Sequence, residues 1–464
     1  MRARSILFLS LFVPFTLIFA YIWATAADLV ISDDIFLIKG GFIESYLSGS
    51  LTFDDLWRPL NLGRNLGYNL LQLANIKFFS LNAKLMVLLV PFFMLVSAAL
   101  IYREYRKSLK PKSSPEFIAA TFFILTLMIF NIIQWEGLIC SSVLAFQSAM
   151  PFFIASFLIL ELLLFNGQWK YLPAALILTA LAMLVFNGRL NLSFLPTLGV
   201  IFFCYLLTQR SRLTKYFWLR AFFISVFLTA TVFIYIYRIH LYEYSSASSL
   251  STEIFVRPRE AVDFLLAAFG SSVLGIDVFY NCTYLSFDNI LLLGLMLVLL
   301  YFLALILFFK SRMYERTYLP LFLIMQTFFY LGFMMIGRFE FGKDYGMSSR
   351  YTGISIYGLV AIVWIFIFIL TKPAKTNALL KGTIFTGLAI IFSGLIMTSI
   401  IEWRIQPERK AYMERLNDIA MRVDTATEEE LLKIGDEPKQ VRDSLRILRK
   451  HRLNIYHNLS VDDE

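Results

Sequence analysis

Long apolar runs separated by short polar segments set the pattern of this chain. Each run is near the roughly 20 residues that a helix needs to cross a bilayer. None alternates over short stretches as the strands of an outer-membrane barrel do. Inside lipid every backbone N–H and C=O must be satisfied within its own segment, so the runs predict helices. Spans are expected at about 7–27, 85–102, 117–134, 147–165, 171–187, 191–208, 219–237, 289–309, 317–336, 353–371 and 382–400. The first has the charge and apolar core of a signal peptide, but the core is long and many spans follow, so it is read as a retained helix.

Charge orients these spans, because lysine and arginine collect in cytoplasmic loops. Arg2 and Arg4 precede the first span, and REYRKSLKPK (103–112), QRSRLTK (209–215), KSRMYER (310–316) and KPAKTNALLK (372–381) are basic connections. A full crossing by AVDFLLAAFGSSVLGIDVFY (261–280) would carry KSRMYER to the outer side. That segment is therefore expected to be a re-entrant or outer-face helix pair hinged near Gly270, since such breaks line protein cavities rather than lipid. The chain reads as an all-α polytopic membrane protein of about 11 spans, N-terminus cytoplasmic and C-terminus outside. Residues 1–402 form the membrane domain with a long first outer loop, 28–84. Residues 403–464 form a small helical outer domain whose last residues, VDDE, are expected to be disordered.

Composition agrees. Hydrophobic residues make up 58% of the chain and charged ones 16%, against about a quarter charged in a soluble domain. The net charge of +9 sits largely in short loops beside spans, which speaks for orientation and against nucleic acid as a partner. Cys140, Cys204 and Cys282 form neither a clustered metal spacing nor a disulfide framework. His240, His451 and His457 show no ligand spacing.

Candidate chemistry lies in the outer segments. Asp33 and Asp34 follow the first span within a few residues. The runs IFLIKGGFIESYL and YNLLQLANIKFFSL beyond them suit helices lying in the interface plane, which would keep both carboxylates near the headgroups. A reaction on a lipid-linked phosphate needs a base for the acceptor hydroxyl and cations for the leaving phosphate. Asp33 and Asp34 are the candidate bases. Arg64, Arg338, Lys343 and Arg350 are the candidate cations, arginine because its planar fork binds two oxygens at once. Paired aspartates also suit a divalent metal such as Mg2+ or Mn2+, and they equally suit a wet helix end. In QWEGLICSSVLAFQ, Gln134, Glu136 and Gln147 are groups that hold sugar hydroxyls, or with Trp135 they mark an interface anchor. Arg338 and Arg350 either hold phosphate or snorkel and pair with Glu340 and Asp344. Asn187 and Arg189 read as turn and headgroup residues, and Asp263 and Asp277 flank the broken segment, where ionisable groups are functional candidates.

Four segments resemble a broad, largely uncharacterised family of polytopic bacterial inner-membrane proteins. In LSGSLTFDDLWRPLN (47–61), relatives follow DLW with a histidine-asparagine-glutamate-histidine-arginine run. Here RPLNLGRN replaces it, and Arg64 alone stands in, with a shifted register. Both histidines and the glutamate are lost, and with them the basis for metal or acid–base chemistry in that run. Gln134, Glu136, Phe146 and Gln147 match a second motif, and DFLLAAFGSS ending in Gly270 and Ser271 a third. Gly337, Arg338, Phe341, Gly342, Ser349, Arg350 and Tyr351 match the most specific one, within GRFEFGKDYGMSSRY. The layout also looks like that of the GT-C glycosyltransferases, which use a polyprenyl-phosphate sugar and a carboxylate in the first outer loop. That likeness implies Asp33 or Asp34 as base or metal ligand and Arg350, Arg338 and Tyr351 at the lipid phosphate. It implies transfer of a sugar to a cell-envelope glycan or glycolipid at the outer face of the inner membrane. A flippase of a lipid-linked glycan and a non-catalytic envelope-assembly protein are the alternatives.

Overall fold

The computed structural model describes residues 2–59, 65–110, 113–185, 192–209, 213–237, 254–372 and 378–458. These residues form helices and connecting turns, with no strand among them. Among the described residues nine helices are long and apolar enough to cross a membrane: Ala3–Thr25, Ala83–Leu109, Pro115–Ile139, Ser141–Phe165, Lys215–Ile236, Phe287–Lys310, Leu319–Phe341, Ser349–Leu370 and Ala378–Met421. Two shorter apolar helices, Trp169–Val185 and Phe194–Thr208, stand where the other two spans were expected. VDDE, Arg64, Asn187, Arg189, His240 and the side chain of Phe146 lie outside the description.

The helix Thr352–Leu370 runs through the centre, every residue from Thr352 to Ile369 buried. It is almost wholly apolar, which only a position surrounded by other helices accommodates without exposing a uniform surface. Gly358 permits its close contacts, since a Cβ there would stand 2.5 Å from both the Thr327 and Tyr301 hydroxyl oxygens. At one end its Trp364 indole donates to the Ser108 hydroxyl at 3.0 Å. Arg316 donates to the Ser108 carbonyl, and Lys372 to the Ser311 carbonyl at 2.7 Å. The basic segments around 108, 311–316 and 372 thus gather at one end of the bundle.

The opposite end holds both termini of the broken segment. Its first part is the helix Pro258–Ser271 and its second the helix Ile276–Asn281. Arg257, just before it, lies 5.0 Å from the Phe339 ring centre, and Asp277 pairs with Arg409 at 2.8 Å. The turn between tucks inward, where Gly275 N donates to the Thr398 hydroxyl at 3.0 Å. Thr398 precedes Arg409 by about 16 Å of helix, roughly half the ~30 Å hydrocarbon core. The break falls at 272–275 rather than at Gly270. Gly270 serves close packing instead: its Cβ would meet the Ile290 carbonyl at 2.4 Å, and that of Gly294 would meet the Leu266 carbonyl at 1.9 Å.

The last helix, Ala378–Met421, passes through position 403 without interruption. The chain then folds back through Glu428–Leu431 and Pro438–Lys450 and docks on the long segment that follows the first span. Asn454 is the principal fastener. Its amide nitrogen donates to Asp28 at 2.9 Å and the Leu81 carbonyl at 2.8 Å, and its amide oxygen accepts from Val30 N at 3.2 Å. Leu431, Leu445 and Leu448 are fully buried with Ile35 in one continuous core, so tail and loop fold as one layer. Gly294→Ala is expected to lower stability by about 1–3 kcal/mol, the cost of overpacking, seen as a reduced midpoint in thermal unfolding in detergent. Gly332→Ala, where a Cβ meets nothing within 4 Å, is expected to leave it unchanged.

Candidate functional site

The two adjacent aspartates have different environments. Residues Ser32–Leu37 form a 3-10 turn entered by Ser32 at a left-handed φ of 57°. The tail holds that turn, as Ser32 N donates to the Ile434 carbonyl at 2.7 Å and the Ser444 hydroxyl donates to the Ile35 carbonyl at 3.1 Å. Asp34 points inward and is 1% exposed. Its carboxylate accepts from the Tyr68 hydroxyl at 2.6 Å and from the Ser141 hydroxyl, and Tyr68 accepts from Gln72 at 2.6 Å. Burial pushes Asp34 up to about 7, against the pull of the Ser141 and Tyr68 hydrogen bonds and with the Asp33 charge adding to the rise. Asp33 is half-buried and is an electrostatic neighbour of Arg338 and Cys140.

Glu136 organises the second part. Its carboxylate accepts from Ser348 Oγ at 3.0 Å, Ser349 Oγ at 2.9 Å, Arg350 N at 3.1 Å and Arg350 Nη2 at 3.1 Å. Glu136 N donates back to Ser349 Oγ at 3.2 Å. Two motifs that are far apart in sequence are thereby joined. Gln134 and Gln147 lie beneath, buried, with Gln147 Nε2 donating to Gln134 Oε1 at 2.7 Å. Gln134 also donates to the Asn131 carbonyl at 3.0 Å. These amides bond within the protein, and they pack so closely on Gly353 that a Cβ there would fall 1.8 Å from Gln147. Tyr351 is 3% exposed, its ring 6.1 Å from that of Tyr345. Arg338 lies 5.7 Å from the Phe341 ring centre, and Lys343 4.7 Å from that of Phe287.

A cavity of about 500 Å³ opens where these parts meet, lined by Ser32, Glu136, Cys140, Asp277, Arg350 and Arg409 among others. Arg409 has no place in the sequence reading. It pairs with Asp277 at 2.8 Å and with fully buried Glu402 at 2.7 Å, and its guanidinium lies 3.3 Å from the Trp135 ring centre. The spacing of Glu402 and Arg409 was a usable signal, since positions i and i+7 share a helix face. Among the described residues, Arg350 Nε and Arg409 Nε are buried without a hydrogen-bond partner. Beside this cavity an apolar groove of about 660 Å³ runs along the first, third and last spans, past Ile18, Met128, Leu395, Ile396 and Ile400 to Ile132 and Trp403. Its upper end adjoins the cavity lining at Trp135 and Ile405 on the same two segments.

Asp34 is engaged by Tyr68 and Ser141, and among the described residues no three His, Cys, Asp or Glu side chains converge. No protein-family model matches the chain, and a search of the curated proteins finds no match.

The raised value of Asp34 has a definite sign. Between the ordinary value of 3.8 and about 7, the folded protein keeps a proton that the unfolded chain has released. Asp34 therefore contributes stability that is present below about pH 4 and is lost as pH rises to about 7. Asp34→Asn, neutral throughout, is expected to gain on the wild type across this window. Thermal midpoints of both proteins at a series of pH values check this, and a constant difference between them contradicts it.

Proposed function

We propose that the protein is a membrane glycosyltransferase of GT-C type, moving a sugar from a polyprenyl phosphate to an envelope glycan or glycolipid. One observation carries the reading: Arg350 and Arg409 line a cavity bordered also by Ser32, the residue before Asp33, and an apolar groove lies on the spans that lead to it. A lipid-linked phosphate has this same division, a long apolar chain and an anionic head. Arginine side chains with an unspent N–H suit the head, and apolar side chains suit the chain.

In this mechanism the acceptor hydroxyl attacks the anomeric carbon from the face opposite the phosphate. The new carbon–oxygen bond forms as the bond to phosphate breaks, and the hydroxyl proton passes to Asp33. Asp33 takes this role rather than Asp34 because it is the more exposed of the pair. Asp34, held by Tyr68 and Ser141, fixes the turn. The leaving phosphate keeps its charge and needs cations rather than a strong acid; Arg350 and Arg409 supply them, with Arg338 nearby. The basic end of the bundle then faces the cytoplasm of a bacterium, and the cavity, loop and tail face outward across the inner membrane.

Turnover of purified protein with a panel of polyprenyl-phosphate sugars tests this. Asp33→Asn is expected to lower kcat by about 100-fold or more, as loss of a general base does, with KM for the lipid little changed. Arg350→Ala is expected to raise that KM. Full turnover by Asp33→Asn would refute the assignment of the base.

A further inference from the structure

Gln134 and Gln147, expected to hold sugar hydroxyls, are spent on each other, and Glu136 on the 348–350 turn. On the outer face, between the first outer loop and the tail, lies a separate cleft of about 420 Å³, inside the roughly 300–1,000 Å³ range of ligand sites. Lys39, Asp55, Arg58, Asn69, Glu437 and Gln440 line it.

These groups have three properties in common. First, the cations are compensated, Lys39 by Glu44 at 3.0 Å and Arg58 by the Asp55 and Glu437 carboxylates of the lining, so the cleft has no net attraction for an anion. Second, several are oriented by protein hydrogen bonds. Asp55 Oδ2 accepts from Thr52 N at 2.8 Å, Arg58 Nη1 donates to the Gly40 carbonyl at 3.2 Å, and Gln440 Nε2 donates to the Lys39 carbonyl at 2.6 Å. Asn69 Nδ2 donates to the Leu56 carbonyl at 2.9 Å, while its Oδ1 has no partner among the described residues and the residue is 4% exposed. Third, the walls come from two chain segments that are tied together, Lys39 N donating to Ser444 Oγ at 3.3 Å, which reduces the ordering cost of binding. Phe36 adds an apolar surface, and Gly40 and Gly41 leave backbone bare. At Gly41 a Cβ would come 2.3 Å from the Leu37 carbonyl.

Planar amide, carboxylate and guanidinium groups beside an aromatic ring, with no uncompensated cation, fit a ligand rich in hydroxyls and apolar C–H faces. We infer that this cleft binds a neutral saccharide, the acceptor of the proposed transfer. Leu37 follows Asp33 by four residues, at most about 14 Å of chain, so a glycan seated here extends toward the acidic turn. Naming the acceptor rests on the glycosyl-transfer reading; the saccharide site itself does not.

Saturation-transfer NMR on the full-length protein in nanodiscs tests the inference with three neutral probes, dextran, mannan and galactan fragments, and with uronic-acid oligosaccharides. At least one neutral probe is expected to bind at millimolar concentration. Gln440→Trp, which fills the cleft, and Glu437→Ala are expected to weaken it about tenfold or more, while Glu315→Gln, an exposed change far from the cleft, binds as the wild type does. Binding of neutral probes that persists in Gln440→Trp, preference for the uronic-acid probes, or no binding to any neutral probe would each overturn the inference. Saccharide binding with no turnover on any lipid-linked sugar would remove the transfer reading and leave the cleft assignment standing.

Discussion

One carboxylate, that of Glu136, turns the ends of two helices into a single wall. It takes two serine hydroxyls, a backbone N–H and the Arg350 guanidinium. Charge-assisted bonds of this kind are roughly twice as strong as neutral ones, and here four converge on one group. The direction of Arg350, the shape of the 348–351 turn and the outer rim of the central helix all follow from it. The buried glutamine pair over Gly353 packs directly below, where the absence of a side chain lets the two segments approach. Arg350 is thus an oriented cation whose charge is already balanced, its buried Nε–H without a partner among the described residues.

The acidic turn is held by a different device. Ser32 adopts a left-handed conformation, which costs a non-glycine residue energy that its surroundings must supply. Those surroundings are the tail, through Ile434 and Ser444, and Asn454 fastens tail to loop a few residues away. Burial of Asp34 beneath Tyr68 and Ser141 then sets which of the two aspartates stays accessible. Loop, tail and cavity form one mechanical unit, and the bare polar cleft belongs to the same unit.

Much of the fold was legible because lipid imposes a simple rule on length and polarity. The apolar runs became helices, and 261–280 is broken into two helices, the second of which pairs with Arg409 through Asp277. The break was read slightly early because Gly270 suggested a hinge, whereas its missing Cβ lets Ile290 approach. Glu136 and Arg350 were both singled out, but not their bond, which joins residues far apart in sequence. Asp33 and Asp34 look alike in sequence; only packing distinguishes them. The glutamine pair was hidden for the same reason, since Gln134 and Gln147 come from different turns and bond each other in the buried layer. Arg409 was hidden because its partner Asp277 comes from a distant helix and its ring contact from a third segment.

The proposed function puts the lipid phosphate at Arg350 and Arg409 and the polyprenyl chain in the apolar groove. An experimental structure of the protein with undecaprenyl phosphate tests this most directly. The account predicts density for the phosphate within hydrogen-bond distance of Arg350 or Arg409, about 2.7–3.2 Å, and the polyprenyl chain along Leu395, Ile396 and Trp403. A phosphate bound away from this cavity, with the groove occupied only by ordinary phospholipid, would contradict it.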